Sequence, residues 1–315
     1  MCVTNSCSGL DPNLRRVREA SERRVILPAE KHLEKIAQLH GQADTPEQQA
    51  AAAKRLFETD KNVDVVLAAL RVLELRKHPE LRHILLRRYA YYDAHGVRRD
   101  PGAVLRKAIL DALRAVLAFD DRALLERAAT TYEFLFGEAA GDLRASALLA
   151  LNDLDPIVAG YHCVRLLTDQ YTSIMSGEPA TTAARVLAAA QQHLPLYAYA
   201  MREEQGVADV VAECLRHLDG LPASLLPAVV DKFRVSDNEI ILLGLFDLLL
   251  AHAAGVDYLG ILFEFLRRTT LYNLYRYLVF ELVARREQLE ELRTLVESEE
   301  DYAKVDILRE ALALL

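Results

Sequence analysis

The amino-acid sequence predicts an all-α protein built from stacked pairs of helices. Three observations lead to this prediction. Ala, Leu, Arg and Glu are abundant in the 315 residues, whereas Gly (13) and Pro (10) are scarce, and those four residues lose little on entering a helix. Apolar residues recur with helical spacing along most of the chain, and no stretch alternates with the period of two that indicates a strand. Similar helix pairs also recur about every 40 residues, as in helical repeat arrays.

The N-terminal region is predicted to hold a leader and two charged helices. Residues 1–10 lack the basic and apolar regions of a secretory signal. Helices are then expected at Leu14–Val25 and Pro28–Leu39. After a loop at residues 41–44, Thr45 is a candidate N-cap and Pro46 a candidate first helical residue.

The chain is therefore divided into three predicted segments. The division is a flexible leader at 1–10, an N-terminal helical cap at 11–60 and a repeat array at 61–315 that is continuous with the cap.

Three helix pairs resemble one another when they are aligned, and they begin at Val63, Ala103 and Asp142. Each first helix carries an Ala-Leu pair on its predicted inner face, and the pairs are 43 and 38 residues apart: Ala69-Leu70, Ala112-Leu113 and Ala150-Leu151. A small Ala lets two helices approach closely, while Leu fills the space between them. Polar breaks with Asp or Pro separate the two helices of each pair: Lys77-His78-Pro79, Phe119-Asp120-Asp121 and Leu154-Asp155-Pro156. Pro disfavours helix at the residue before it, and Asp can cap the next helix.

Less regular helices are predicted to follow, which gives roughly 16 to 18 in all. The predicted spans are Pro179–Gln192, Val207–Leu218, Pro222–Phe233, Asp237–Ala254, Val256–Arg268, Leu271–Arg286, Leu289–Ser298 and Tyr302–Leu314, with a break at Leu194-Pro195-Leu196.

The run Leu143-Arg-Ala-Ser-Ala-Leu-Leu-Ala-Leu151, followed by Asp155-Pro156, resembles the HEAT-repeat family of armadillo-like α-solenoids. The resemblance covers about residues 60–270, and the repeat spacing lies in the range of HEAT and armadillo arrays rather than tetratricopeptide arrays. It implies a right-handed α-α superhelix with a concave binding surface, used mostly as a scaffold.

Charge is distributed unevenly along the chain, whose net charge is −8. Residues 1–110 carry 20 basic and 14 acidic side chains (+6), and residues 111–315 carry 18 and 32 (−14). Such asymmetry can steer and orient a partner, although solvated faces without a partner explain it equally well.

The four cysteines are too sparse for a disulfide framework, so we expect a reduced, cytoplasmic setting. The longest apolar stretch, Ile240–Ala254, is shorter than the roughly 20 residues of a membrane span, so no membrane partner is expected.

Motifs for catalysis or cofactor binding are missing from the sequence. It contains no Walker A loop, no G-x-G-x-x-G, no G-x-S-x-G and no H-E-x-x-H. Two Cys–His neighbours, Cys214 with His217 and His162 with Cys163, are better explained as ordinary buried residues than as half of a zinc site. The carboxylate pairs Asp153/Asp155 and Asp209/Glu213 show no sign of the pocket that acid–base chemistry needs. No catalytic residue, cofactor or metal is therefore predicted.

Residues 71–107 are the first candidate binding region, with ten basic side chains against four acidic ones and interleaved tyrosines. Arg can hold phosphate groups and Tyr can stack on bases; HEAT-like DNA glycosylases resemble this picture, but they also use Trp, which this chain lacks. The alternative is a solvated basic face with partly buried tyrosines. The candidate partner-binding residues here are Arg82, Arg87, Arg88, Tyr89, Tyr92, Arg98 and Arg99.

A second candidate surface comprises Tyr272, Tyr275 and Arg276, which share one helical face. Tyr and Arg are enriched at interface hot spots, although a packed C-terminal helix explains them as well. The loop Met175–Pro179 is interpreted as a cap, in which Ser176 and Glu178 serve the start of the next helix.

These observations favour a cytoplasmic, non-catalytic HEAT-type scaffold that binds a protein partner. The alternative is a nucleic-acid-binding or DNA-repair protein on the same fold that uses residues 71–107. A modifying enzyme such as the HEAT-like bilin lyases is a third hypothesis, which depends on fold analogy alone.

Overall fold

The computed structural model describes residues 28–39, 45–78, 80–202, 206–286 and 288–315. These residues form 18 α-helices with short 3-10 turns and no strand, apart from an isolated bridge between Phe134 and Glu138. The predicted all-α class is therefore confirmed. The leader at 1–10 with Cys2 and Cys7, the helix predicted at 14–25 and the loop at 41–44 lie outside the described residues.

The helices are numbered here in chain order. They are α1 (Pro28–Leu39), α2 (Pro46–Thr59), α3 (Val63–Leu75), α4 (Leu81–Asp93), α5 (Gly96–Arg99), α6 (Val104–Leu113), α7 (Arg122–Ala129), α8 (Gly141–Leu154), α9 (Pro156–Leu167), α10 (Ala180–Ala189), α11 (His193–Met201), α12 (Ala208–Arg216), α13 (Leu226–Phe233), α14 (Glu239–Ala251), α15 (Leu259–Arg268), α16 (Tyr272–Arg285), α17 (Leu289–Ser298) and α18 (Tyr302–Leu312).

The chain divides into two compact units, Met1–Ala90 and Tyr91–Leu315. The boundary predicted at residue 60 falls inside the first unit, between α2 and α3. In this unit α3 packs against both α1 and α2. Phe57 of α2 and Val66 of α3 are fully buried.

The starts of α2 and α3 follow the capping rules. Thr45 accepts a hydrogen bond from the backbone of Gln48, whose side chain accepts one from the backbone of Thr45, and Pro46 is the first helical residue. The predicted cap is thus confirmed as a capping box. Asn62 caps α3 in the same way by accepting from the backbone N of Val65 at 3.2 Å.

The second unit contains a regular series of helix contacts. Each even-numbered helix from α6 to α16 packs against the next even-numbered helix, and the series ends at α18. Of the odd-numbered helices, α7 packs against α8, whereas α9 and α11 each pack against both of their even-numbered neighbours. The apolar core follows this series because α8, α10, α12, α14 and α16 each contribute several fully buried side chains.

The Ala-Leu pairs identified in the sequence are buried in all three repeats. The breaks between the helices also follow the expected chemistry at the third repeat, where the Asp155 carboxylate accepts a hydrogen bond from the backbone N of Val158 and Pro156 opens α9. The apolar stretch at Ile240–Ala254 corresponds to α14, which has a largely buried surface. In the described residues, no helix combines the length and the apolar character needed to cross a bilayer.

The break predicted at Leu194-Pro195-Leu196 is wrong, because these residues lie inside α11. The chain turns earlier, at Gln191, whose φ is 56°. Pro195 is the third residue of α11, where a backbone N–H has no partner within the helix and Pro is tolerated.

Candidate functional site

The candidate residues on α4 serve mainly to hold the first unit together. Tyr89 is buried, as is Arg88, whose guanidinium donates to the backbone O of Glu58 at 3.0 Å and of Asp60 at 2.8 Å. Arg88 therefore satisfies carbonyl groups at the end of α2, a favourable place for a cation. Arg87 forms an ion pair with the Glu58 side chain, and Arg82 is half-buried.

The candidates that follow Ala90 belong to the second unit. Tyr92 is buried. The Arg99 guanidinium lies 4.2 Å from the centre of the Tyr91 ring and donates to the Tyr91 carbonyl O at 2.6 Å, while Arg98 is exposed. Because the rings of Tyr89 and Tyr92 are both enclosed, the base stacking expected of a nucleic-acid surface has no exposed ring at these positions.

The surface predicted on α16 is occupied by contacts within the chain. The Tyr272 hydroxyl donates to Asp301 at 2.7 Å, and Arg276 forms a two-pronged ion pair with Glu310 at 2.6 and 2.8 Å. Tyr275 is fully buried, with the Lys304 ammonium 5.3 Å from its ring centre. Tyr272 and Arg276 are thus the two exposed members of this candidate surface, and both join α16 to the α18 region.

The carboxylate pairs also have structural partners. Asp153 pairs with Arg114 at 2.6 Å, whereas Asp155 caps α9. Glu213 is buried among Arg185, Arg216 and His217, while Asp209 is exposed. Burial alone would raise the pKa of Glu213, but its hydrogen bonds to His217 and Arg185 prevail and hold the pKa near 2. A carboxylate so acidic is unsuited to general acid–base work near neutral pH.

The cysteine and histidine pairs do not converge. Burial raises the pKa of the Cys163 thiol to about 12 and also raises the pKa of Cys214, and both thiols are free. His217 faces Glu213 at 3.3 Å rather than a cysteine. Within the part of the chain that the structure describes, no group of three or more His, Cys, Asp or Glu side chains is placed to hold a metal ion.

A different surface, formed by two loops of the second unit, exposes six large apolar side chains. The first loop joins α7 to α8 and the second joins α9 to α10. We call this surface the apolar loop patch and define it as Phe134, Leu135, Phe136, Tyr171, Ile174 and Met175. Phe136 is fully exposed, and Ile174 and Met175 are 80% and 90% exposed. Exposed apolar side chains that cluster on a surface mark interaction sites, so these two loops are a candidate surface.

The two loops meet through aromatic contacts. The ring centre of Tyr171 lies 5.1 Å from that of Phe134 and 5.7 Å from that of Tyr132, both in edge-to-face geometry. The second loop closes on itself, since the Ser173 hydroxyl oxygen accepts from the backbone N of Met175 at 3.2 Å. Phe134 and Met175 are therefore presented by loops that touch each other.

Buried charges fix the base of the first loop. Arg106 of α6 is almost completely enclosed, and its guanidinium donates to both carboxylate oxygens of Glu133 at 2.7 Å and to Asp100 at 3.1 Å. Burial opposes the charge, yet the bonds to Glu133 and Asp100 raise the pKa of Arg106 above its ordinary value. Gly96 leaves space for the Glu133 carboxylate in this ion pair, because a Cβ at position 96 would stand 2.0 Å from Glu133 Oε1.

A second buried arginine ties both loops to α8. Arg144 is fully buried, donates to Glu138 Oε2 at 2.9 Å and lies 3.3 Å from Asp169 Oδ2 in the second loop. Its guanidinium also lies 4.1 Å from the Tyr132 ring centre. Burial works against the charge of Glu138, but Arg144 and the backbone N of Ala140 hold its pKa below the ordinary value. Both loops are therefore preorganised by charges that the helices bury.

The sequence interpretation missed this patch. The second helix pair, which was predicted to begin at Ala103, ends with α7 at Ala129, and the chain then forms the loop. The available signal was the run Phe134-Leu135-Phe136-Gly137, which continues no helical face and ends in a Gly. The capping interpretation of the second loop is confirmed at Glu178, which accepts from the backbone N of Thr182 at 3.2 Å.

No protein-family model matches this chain, and no curated protein matches it.

Proposed function

We propose that this protein is a non-catalytic, HEAT-like helical scaffold that binds a protein partner at the apolar loop patch. The observation that carries the proposal is that six exposed apolar side chains project from loops held by the buried Arg106 and Arg144. Burying charges is costly unless they are well paired, and here that pairing holds the loops in one conformation. Loops preorganised on a rigid framework are a common way to present binding residues.

The fold proposal is a right-handed α-α superhelix of HEAT or armadillo type. It is supported by the successive contacts of the even-numbered helices α6 to α18 and by the buried Ala-Leu pairs. In such arrays each helix pair buries its apolar face against its neighbours.

The buried, free thiols of Cys163 and Cys214 support the further proposal of a cytoplasmic location.

The partner is proposed to present an apolar surface within a basic rim. Residues 91–315 carry 22 basic and 34 acidic side chains, a formal charge of −12, so a basic rim would be attracted and an acidic one repelled. The nucleic-acid alternative has less support, because Tyr89 and Tyr92 are buried and Arg87 and Arg88 contact the end of α2.

Site-specific photo-crosslinking tests this function. p-Benzoylphenylalanine replaces Phe136 in the patch or, as a matched control, Phe119, an aromatic residue that is 68% exposed elsewhere in the second unit. In cells of the native host, irradiation should link position 136, and not position 119, to a discrete protein. Met175→Ser should weaken that crosslink, and when the irradiation is repeated in cell lysate, added salt should weaken it too.

Two outcomes would contradict the proposal. One is a set of equal crosslinks from positions 119 and 136, and the other is a crosslink from position 136 to a second copy of this chain alone. A gel-shift titration at low salt addresses the nucleic-acid alternative, for which we expect no shift.

A further inference from the structure

A cavity of about 580 Å³ lies between α11, α12, α13 and the start of α14. It is distinct from the apolar loop patch, and its interpretation does not depend on a protein partner. Its volume lies in the range typical of sites for small molecules. One side is apolar, with buried Val211, Phe233 and Ile241, and another carries the cations Arg202 and Lys232.

Neither cation of this cavity has an acidic partner among the described residues. The Lys232 ammonium donates to the backbone O of Ala200 at 2.8 Å and of Arg202 at 2.7 Å. The third of its three N–H groups therefore remains available for a ligand. By contrast, many arginines of the second unit pair with carboxylates, as Arg216 does with Asp247. Glu203 and Glu204 lie outside the described residues.

The Arg202 guanidinium retains donors for a ligand. It lies 4.1 Å from the Tyr199 ring centre and donates to the Tyr199 hydroxyl at 3.2 Å. Its Nε–H is shielded from solvent and has no hydrogen-bond acceptor in the described part of the chain. Because this Nε–H has no accessible surface, a ligand in the cavity would be bound by the Nη–H groups instead, and the bond to Tyr199 uses only one of them.

The two cations also repel each other. Burial lowers the pKa of the Lys232 ammonium, and the nearby Arg202 charge lowers it further. An anion placed between them would relieve this repulsion and would accept hydrogen bonds from their remaining N–H groups. Asp237, an exposed carboxylate, lines the same cavity, so the three charged side chains sum to +1.

We propose that this cavity binds a small organic anion. Its carboxylate or phosphate group lies against Arg202 and Lys232, because guanidinium and ammonium groups bind both kinds of oxygen acid. Its apolar body packs on Val211, Phe233 and Ile241. The cavity thus takes one class of ligand, in which a single anionic head is attached to an apolar group.

Calorimetric titration with three probes of similar size tests the site. Phenyl phosphate and benzoate carry the anionic head, and benzyl alcohol is the neutral counterpart. The wild-type protein should bind at least one of the two anions and bind benzyl alcohol much more weakly. Which anion binds more tightly distinguishes a phosphate ligand from a carboxylate ligand.

Substitutions inside and outside the cavity test whether the anion binds there. Arg202→Gln should weaken anion binding by about tenfold or more, since bonds to charged groups are among the strongest. The control Arg234→Gln should change it by less than about twofold, because Arg234 is exposed, pairs with Asp231 and does not line the cavity. Asp237→Asn should tighten binding by removing a repelling charge.

One variant blocks the cavity without altering its charge. A Cβ at Gly206 would stand 2.7 Å from Arg202 Nη2 and 2.8 Å from the Tyr199 hydroxyl, so Gly206→Val should abolish binding. If Arg202→Gln does not fold, as judged by circular dichroism, Gly206→Val and Asp237→Asn supply the test. The proposal is overturned if the wild type binds neither anion at millimolar concentration, or if Gly206→Val and Asp237→Asn bind as the wild type does.

Discussion

Gly244 of α14 lies directly against the backbone of Ala212 on α12. A Cβ at position 244 would stand 2.6 Å from both the Cα and the carbonyl O of Ala212. Backbone atoms cannot move aside as the end of a flexible side chain can. The two helices therefore approach as closely as they do because residue 244 has no side chain.

Gly244→Ala should consequently destabilise the protein by about 1–3 kcal/mol, the usual cost of forcing an extra carbon into a packed core. Gly260→Ala is the matched control, because Gly260 lies in α15, where an added Cβ would meet no neighbouring group within 4 Å. It should stabilise the protein by roughly 0.5–1 kcal/mol through the entropy of the unfolded chain. Urea unfolding measures both, and opposite signs are expected. A gain in stability for Gly244→Ala would show that α12 and α14 can separate freely.

Breaking the buried ion pair beneath the apolar loop patch should be costly. Arg106→Met leaves the carboxylates of Glu133 and Asp100 buried without their cation, and we expect a loss of about 3–5 kcal/mol. The control Arg268→Met removes an exposed arginine that pairs with Glu264 and should cost less than about 1 kcal/mol. Thermal unfolding compares the two, and similar losses would contradict the assigned role of Arg106.

Glu213 should make stability fall in acid. Its pKa is about 2 in the folded protein against an ordinary value of 4.5. Its contribution is therefore fully present above pH 4.5 and is lost as the pH falls from 4.5 towards 2. Glu213→Gln should flatten the dependence of the urea midpoint on pH across this window. Asp209→Asn, which removes an exposed carboxylate one turn earlier on α12, should leave that dependence intact.

Leu151 is completely buried in α8, as its place in the third repeat predicts. Leu151→Ala should cost about 2–5 kcal/mol, because it removes apolar contacts and leaves a cavity. Ile157→Ala in the following helix should cost less than about 0.5 kcal/mol, since Ile157 is 87% exposed. Equal melting temperatures for the two variants would mean that Leu151 is not part of the core.

Local chemistry in the sequence was sufficient to predict much of the fold. Thr45 and Asp155 were identified as caps from their residue types and their positions before Pro46 and Pro156, and α1 and α17 have the predicted bounds. Such features depend on interactions within a few residues, which the sequence displays directly.

Features that depend on distant partners were beyond the sequence. Arg106 and its partner Glu133 are 27 positions apart in the sequence, and Arg88 and Asp60 are 28 apart. The residues that neighbour these arginines in the sequence therefore do not indicate that they are buried. The tyrosines of α4 were equally ambiguous, because apolar and basic residues alternate around that helix and do not define one buried face. The loop at Phe134 was hidden for a related reason, since its conformation depends on ion pairs with α6 and α8.

The series of even-numbered helices has a consequence for how the second unit is made. Each of these helices packs against the even-numbered helix before or after it, only a few dozen residues away in the chain. A nascent polypeptide can therefore complete one layer as soon as it leaves the ribosome, without waiting for its C-terminus. Assembly of the second unit is expected to keep pace with translation and to advance in one direction, from α6 towards α18.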